Sequence, residues 1–236
     1  MLTSRKDTVI VFDMYRTLVA NNEDLWKGTF AKICESQGLA VELDRFGQVW
    51  KNEEQKFRRG RVDLEDPKKS PPFKSYFEAW CEAFRDCFEA LGLDGNPESA
   101  SIQCVEDMAK RPLFPDVVPA LERLRERGVG MAVLSNADDA SLYPLVKRLE
   151  LKFDAVLSSE TAGVYKPHPD AFWQILEMLK IKPSQAIYAG DNLLDDMHGA
   201  KLVGMHTAWI NRNYAKRQVG LLPPDQEFPS LEQMIV

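Results

Sequence analysis

From Pro112 onward, the chain alternates short apolar strands with amphipathic helices. Four predicted strands read VGMAVLSN, FDAVLSS, QAIYAGD and HTAWINR, and a helical segment separates each from the next. Strands connected in this way lie parallel in one sheet, with helices covering both faces. An earlier apolar run, VIVFD, ends at Asp13 and is predicted to join the same sheet. The expected fold class is α/β, with a doubly wound, Rossmann-like parallel sheet.

Between the first strand and Pro112, apolar residues recur at helical spacing instead. The clearest segment is FKSYFEAWCEAFRDCFEALG, residues 73–92, whose large side chains form one stripe. We therefore predict a helical cap domain over residues 18–111, inserted into a core domain made of residues 1–17 and 112–236. The charged run that follows Phe57 is expected to face water.

Composition limits the classes of partner. A net charge of −6 without a basic stripe argues against nucleic acid as a partner. The apolar run before Asp13 is too short for a signal peptide or a membrane span, so we expect a cytoplasmic protein with no membrane partner. The four cysteines have no metal-binding spacing and are interpreted as reduced, buried thiols. We assign no catalytic role to the three histidines.

Several polar residues lie at or just beyond the ends of predicted strands. They are Asp13, Ser135, Lys166 and Asp191. Ligands of open parallel sheets bind at the carboxyl ends of the strands. We therefore expect these side chains to converge on one site.

Four segments, FDMYRTL, VLSN, VYKPHPDAF and AGDNLLDDMHGA, resemble in order the four motifs of the haloacid dehalogenase superfamily. The resemblance implies that Asp13 is a nucleophile that forms a covalent ester or acyl phosphate, which water then hydrolyses. It implies that Thr17 holds the loop or contacts the nucleophile. Ser135, with the backbone N–H of Asn136, is expected to bind the substrate's anionic oxygens, and Lys166 to lie against Asp13 and the substrate anion.

The first motif is similar to that of the 2-haloacid dehalogenases. Phosphatases of this superfamily carry a second aspartate two residues after the nucleophile, as an acid for the leaving alcohol, whereas here the residue is Tyr15. A halide leaves without such an acid. Arg16 stands where both groups usually have glycine, and its guanidinium is expected either to contact a substrate anion or to pair with surface acids.

The fourth motif resembles instead the phosphatase form that ligates magnesium. Asp191 and Asp196 would join Asp13 there, which gives three negative charges, and Lys166 supplies one positive charge. The site is thus expected to carry two net negative charges. Each like-charge pair about 4 Å apart costs on the order of 4 kcal/mol at an effective dielectric constant near 20. This excess of negative charge predicts bound Mg²⁺, ligated by the three carboxylates and the main-chain carbonyl of Tyr15. Protonation of one carboxylate is the other way to reduce the charge.

The cap offers one further candidate. The segment VWKNEEQ resembles the dehalogenase helix that brings a Trp-Arg pair over the site, with Lys51 as the cation. Lys51 is either a halide- or anion-binding residue or one more solvated charge. With Tyr15 and Arg16, it completes the set of residues expected to contact substrate.

These predictions lead to three functional hypotheses. The first, which the sequence favours, is a Mg²⁺-dependent hydrolase of a small anionic substrate, a phosphomonoester, acting through Asp13. The second is a metal-free 2-haloacid dehalogenase, in which Asp196 or Lys166 helps water to cleave the aspartyl ester. The third is a catalytically weak family member that binds a partner or metabolite, which the changes at Tyr15 and Arg16 support.

Overall fold

The computed structural model describes residues 8–235. Its strands are β1 (Val9–Phe12), β2 (Gly130–Ser135), β3 (Ala155–Ser158), β4 (Ala186–Gly190), β5 (His206–Ile210) and β6 (Gln226–Phe228). Together they form one sheet in the order β3-β2-β1-β4-β5-β6, and every neighbouring pair is parallel. The predicted α/β class, with a parallel sheet and a helical insert between β1 and β2, is confirmed.

The described chain forms two compact units. The first contains the residues up to Ala20, Pro112–Asn136 and the residues from Arg148 onward, and the second contains Asn21–Arg111 and Ala137–Lys147. The second unit thus includes a short segment, Ala137–Lys147, that lies beyond the predicted cap. The domain boundaries drawn at residues 17 and 112 stay a prediction.

Four long helices make up most of the second unit. They are α1 (Glu23–Gln37), α2 (Leu43–Gly60), α3 (Tyr76–Leu91) and α4 (Pro97–Met108). Local sequence fixes their ends. Ser75 and Glu78 form a reciprocal capping box at the start of α3, and Asn96 caps α4 ahead of Pro97. Gly92 ends α3 in the left-handed conformation that glycine adopts without a steric penalty.

The second unit is held together by an aromatic core. Neighbouring ring centroids within it lie 4.9–6.5 Å apart. The rings belong to Trp26, Phe30, Phe46, Trp50, Trp80, Phe84 and Phe88. Burying large rings supplies most of the apolar contact area in a small helical unit. The apolar stripe read from residues 73–92 therefore packs against α1 and α2, within the same unit.

The charged run after Phe57 does not all face water, contrary to the prediction. Arg61 is 8% exposed and donates a hydrogen bond to the Tyr76 hydroxyl at 2.5 Å. Val62 is buried beside it. A guanidinium combines a planar apolar face with hydrogen-bond donors at its edge, so it can be buried where an aromatic hydroxyl accepts.

The remaining helices belong wholly or mainly to the first unit, except that α6 lies almost entirely in the second. They are α5 (Val117–Glu126), α6 (Asp139–Arg148), α7 (Ser159–Ala162), α8 (Pro169–Leu179), α9 (Gly199–Leu202) and α10 (Leu231–Ile235). A wider, π-type turn, Leu193–His198, leads directly into α9. Strand β6 and helix α10 were not predicted, because three and five residues are too few to show a period.

Two further findings concern cysteines and membranes. The four cysteines are free thiols, of which Cys34, Cys87 and Cys104 are buried and Cys81 is half-buried. Within residues 8–235, no helix combines the length and the apolar character that crossing a bilayer requires.

Asp107 is one of the buried charges of the second unit. It is 4% exposed, and its carboxylate accepts hydrogen bonds from Thr29, from Lys32 at 2.8 Å and 2.9 Å, and from Gln103. Burial acts to raise the pKa of Asp107, but the bonds from Lys32 and Thr29 outweigh it and lower that pKa. The charged form is therefore favoured by folding, and its contribution is lost as pH falls through the lowered pKa.

We expect Asp107→Asn to lower the free energy of unfolding at pH 7 by about 1–3 kcal/mol, because a charged acceptor is lost inside the unit. Asp44→Asn is the matched control, since it removes an ion pair between two exposed side chains. Urea denaturation at pH 7 and at pH 2.5, well below the ordinary aspartate pKa, measures both variants. The deficit of Asp107→Asn should shrink at pH 2.5; a deficit that is equal at both values contradicts this assignment.

Candidate active site

The site is built where β1, β2 and β4 end side by side. Because β1 pairs with both neighbours, Phe12 is in register with residues of β2 and of β4. Asp13, the next residue, therefore emerges beside Ser135 at the end of β2 and Asp191 just after β4. The Ser135 hydroxyl donates a hydrogen bond to Asp13 Oδ1 at 3.3 Å. The topology thus brings together residues that are more than a hundred positions apart.

Lys166 lies at the centre of this site. Its side chain is 2% exposed, and its ammonium donates to Asp13 Oδ1 at 2.9 Å, Asp196 Oδ1 at 2.6 Å and the Tyr188 hydroxyl at 2.6 Å. An ammonium has three N–H donors, and all three are used. Burial acts to lower the pKa of Lys166, but the charges of Asp13 and Asp196 outweigh it and hold that pKa well above its usual value. Lys166 is therefore a permanent cation.

The backbone of Lys166 is fixed by the side chain of Asn136. The Asn136 carboxamide accepts from the Lys166 N–H at 2.8 Å and donates to the Lys166 carbonyl at 3.0 Å. Its Nδ2 also lies 3.4 Å from Asp195 Oδ2. The carboxamide thus positions the lysine. The predicted role of the Asn136 backbone N–H, and of Ser135, in binding a substrate anion stays a prediction.

Tyr188 is a site residue that the sequence did not indicate. It lies fully buried in β4, accepts from Lys166, and donates from its hydroxyl to the Leu134 carbonyl at 2.7 Å. Burial raises the pKa of Tyr188 well above its usual value, so the hydroxyl keeps its proton. In the strand AIYAG, tyrosine is typical of an apolar β-strand. The one signal in the sequence is that a tyrosine hydroxyl in a buried strand needs hydrogen-bond partners.

Asp196 is held in the turn Leu193–His198. Its Oδ2 accepts from the Asn192 N–H at 2.9 Å, and its Oδ1 accepts from Lys166. A methyl group on Gly190 would lie 2.3 Å from Asp196 Oδ2, so only glycine fits there. Burial raises the pKa of Asp196 to about 6, against the lowering effect of Lys166. Asp196 is mostly ionised at neutral pH and able to take a proton.

Asp191 has a different cation beside it. Arg16 Nε lies 3.1 Å from Asp191 Oδ2, and the Asp191 side chain is 18% exposed. Burial, together with the charges of Asp13 and Asp196, raises the pKa of Asp191 well above its usual value, and Arg16 opposes that rise. Of the two partners predicted for Arg16, the structure provides an acid, but this acid belongs to the site and not to the outer surface.

This pair corrects the charge balance predicted from sequence. With all three carboxylates ionised, the two cations Lys166 and Arg16 leave one net negative charge where two were expected. The raised pKa of Asp191 favours protonation of that carboxylate, which is the alternative to a metal ion named from the sequence. The sequence alone does not show that Arg16 faces these acids, because the direction of its side chain depends on the backbone of the turn. Neutralisation by a metal ion is therefore less necessary than the sequence indicated.

The two other residues of the first motif are also buried. Tyr15 is 8% exposed, and Thr17 is fully buried. Thr17 Oγ1 has no hydrogen-bond partner among the described residues, while the Thr17 carbonyl accepts from Arg212 at 2.9 Å. A buried hydroxyl without a partner is costly unless a bound group satisfies it. This fits the expected contact with the nucleophile or its substrate, which stays a prediction.

Lys51 belongs to the second unit. Its ammonium donates to Glu23 at 2.9 Å, and both side chains are largely exposed. An exposed ion pair of this kind is common on helical surfaces. A role for Lys51 in binding halide or another anion stays a prediction.

Among residues 8–235, one group of acids could hold a divalent cation. Carboxylate oxygens of Asp13, Asp191 and Asp196 lie within 4.8 Å of one another. Hard oxygen ligands suit Mg²⁺, so the donor set fits this ion, with the Tyr15 carbonyl as the fourth ligand that family resemblance implies. When bound, Mg²⁺ would supply positive charge to a substrate anion. Arg16 and Lys166 already contact all three carboxylates.

The chain is similar in sequence to a known family of hydrolases. The model of a family described as haloacid dehalogenase-like hydrolase matches residues 8–204. The chain belongs to this family. The assignment of Asp13, Ser135, Lys166 and the acids that follow β4 to the four motifs of this family stays a prediction.

Relatives of both chemistries are similar to this chain. Haloacetate dehalogenase H-2 of Moraxella sp. (strain B) is 26% identical over 234 residues, which cover 98% of this chain and 97% of that protein. Haloacid dehalogenase-like hydrolase domain-containing protein 3 of Xenopus laevis is 31% identical over 66% of each chain. Glyceraldehyde 3-phosphate phosphatase of Pyrococcus furiosus is 37% identical, but over only 41% of each chain. The chain thus spans less than half of that phosphatase.

Solved structures show the same fold. The L-2-haloacid dehalogenase RSc1362 superposes with a TM-score of 0.78 over 97% of this chain and 96% of its own, at 23% identity. At this identity the likeness concerns the fold of the haloacid dehalogenase-like hydrolases and not the substrate.

Tyr188→Phe tests the network around Lys166. We expect kcat for hydrolysis to fall on the order of tenfold with KM unchanged, because the ammonium loses one of its three acceptors but substrate contacts remain. Phe172→Leu is the matched control: its ring packs edge-on against Tyr188 at 5.3 Å but has no hydroxyl. That variant should lose stability and keep kcat. A Tyr188→Phe enzyme with unchanged kcat shows that the hydroxyl only supports packing.

Proposed function

We propose that this hydrolase cleaves the carbon–halogen bond of a small 2-haloacid without a metal ion, through an ester on Asp13. The observation that carries the proposal is that Lys166 and Arg16 together neutralise two of the three carboxylate charges of the site. An acidic site with two built-in cations can accept a small anion. It needs no divalent ion to do so.

The first step is displacement at carbon. Asp13 Oδ1 is occupied by Ser135 and Lys166, whereas Oδ2 has no hydrogen-bond partner among the described residues. An electron pair on Oδ2 forms the new oxygen–carbon bond as the carbon–halogen bond breaks, and halide leaves with its electrons. Halide requires no proton on departure, so a tyrosine at position 15 is no obstacle.

The second step is hydrolysis of the ester. Water attacks Cγ of Asp13, and negative charge develops on Oδ1. Lys166 and Ser135 already donate to that oxygen, as an oxyanion site requires. The bond from Cγ to the ester oxygen Oδ2 then breaks, and the departing alkoxide takes the proton held by Asp196 to give a 2-hydroxy acid. Asp13 loses the second proton of the water to solvent, which restores the ionised carboxylate. Asp196, with a pKa of about 6, is the base that takes the proton from water.

The relatives support this chemistry more than phosphate ester hydrolysis. The match with the Moraxella haloacetate dehalogenase covers nearly the whole of both chains, whereas the match with the Pyrococcus furiosus phosphatase covers less than half. The proposal therefore extends to the substrate class: a short acid with halogen on the carbon next to the carboxylate. We also propose a cytoplasmic location and no nucleic-acid or membrane partner.

A second candidate function is Mg²⁺-dependent hydrolysis of a small phosphomonoester. The observation that favours it is the cluster of Asp13, Asp191 and Asp196 within 4.8 Å. In that case Asp13 attacks phosphorus, and the leaving alcohol must depart without a proton from residue 15. This predicts slow turnover, except for esters of acidic alcohols.

A substrate panel separates the two candidates. We expect halide release from 2-haloacids that persists in EDTA, with no phosphate release from phosphomonoesters. Asp13→Asn should reduce halide release at least about a thousandfold, because the nucleophile is lost. Asp170→Asn, which changes an exposed acid of the same unit, should leave it unchanged.

Other outcomes are equally informative. Phosphate release that requires Mg²⁺ supports the second candidate and rejects the first. If neither product forms with the wild-type chain, and the cellular phenotype of a gene deletion is rescued by Asp13→Asn, the chain acts by binding and not by catalysis.

A further inference from the structure

Arg16 has a backbone conformation that residues with side chains seldom adopt. Its φ is +71°, and its N–H donates to the Val19 carbonyl at 2.6 Å, which closes the turn. The left-handed region brings Cβ close to the following carbonyl oxygen, so glycine is the usual residue there. An arginine in this position adopts a backbone conformation that is costlier than the ordinary one, so the contacts of its side chain are of interest.

The side chain of Arg16 pairs with Asp191. Arg16 Nε lies 3.1 Å from Asp191 Oδ2, whereas the ammonium of Lys166 donates to Asp13 and Asp196 but not to Asp191. Asp191 also lies within reach of the two other carboxylates, which repel its negative charge. Arg16 is therefore the cation that offsets part of this repulsion at Asp191, from a side chain that is itself 59% exposed.

We propose that the Arg16 guanidinium is a built-in cation that takes the place of a divalent ion at Asp191 and so makes the site independent of metal. This inference deepens the proposed function. Only its consequence, that turnover needs no metal ion, rests on that function. A guanidinium stays protonated at every pH that proteins tolerate. A divalent ion that binds Asp191 must displace it or lie against its positive charge, and either event weakens metal binding.

The proposal is tested by isothermal titration of Mg²⁺ into the whole protein, with no substrate present. The wild-type chain should bind Mg²⁺ weakly. Arg16→Gly should bind it at least about tenfold more tightly, because the competing charge is gone and the three carboxylates remain. Arg16→Asn is the second variant, since asparagine tolerates the left-handed backbone and carries no charge. Adding Asp191→Asn to Arg16→Gly should abolish the gain.

Lys180→Gly is the matched control. Lys180 is an exposed lysine of the same unit with φ of +55°, at the end of α8. This variant removes one positive charge and one left-handed side chain, as Arg16→Gly does, but away from the acids. It should bind Mg²⁺ as weakly as the wild-type chain.

Three results overturn the proposal. These are wild-type binding as tight as that of Arg16→Gly, weak binding by both folded Arg16 variants, and an equal gain in Lys180→Gly. Since the titration contains no substrate, failure of the proposed dehalogenation in the substrate panel leaves this result unaffected. Conversely, halide release in EDTA can be observed even if Arg16 proves irrelevant to metal binding.

Discussion

The site depends on one buried ammonium. Removing a charge from water is costly unless every hydrogen-bonding position is used, and Lys166 meets this condition with Asp13, Asp196 and Tyr188 as acceptors. These acceptors come from the ends of β1 and β4 and from the interior of β4. The ammonium therefore requires the parallel pairing of β1 with β4. The ammonium also donates to Asp13 Oδ1, the oxygen on which negative charge develops in the proposed ester hydrolysis.

The residues after the nucleophile then decide which chemistry this scaffold performs. A phenol at position 15 cannot readily supply a proton to an alcohol, so the site favours a leaving group that departs as an anion. A guanidinium at position 16 places positive charge on Asp191, where the fourth motif alone indicates a magnesium ligand. The acid of the phosphatase-like fourth motif is thus paired with Arg16, a residue that stands where both groups usually have glycine.

Much of the fold followed from the sequence, because hydrophobic period reports directly on secondary structure. The alternation after Pro112 indicated the parallel sheet, and the strand ends indicated where Asp13, Ser135 and Asp191 would meet. Contacts that depend on the direction of a side chain could not be predicted from the sequence. Tyr188 reads as an ordinary strand residue, and the side chain of Arg16 could be directed only once the turn was known. Strand β6 and helix α10 were too short to show a period.

The most direct test of the account concerns the fate of water oxygen. The enzyme is allowed to turn over a 2-haloacid in ¹⁸O-labelled water, and the peptide that contains Asp13 is then analysed by mass spectrometry. Since water attacks Cγ of the ester, the account predicts ¹⁸O in the Asp13 carboxylate after several turnovers, and unlabelled product in a single turnover. An unlabelled Asp13 together with ¹⁸O in the first product formed contradicts it, because water would then have attacked the substrate directly.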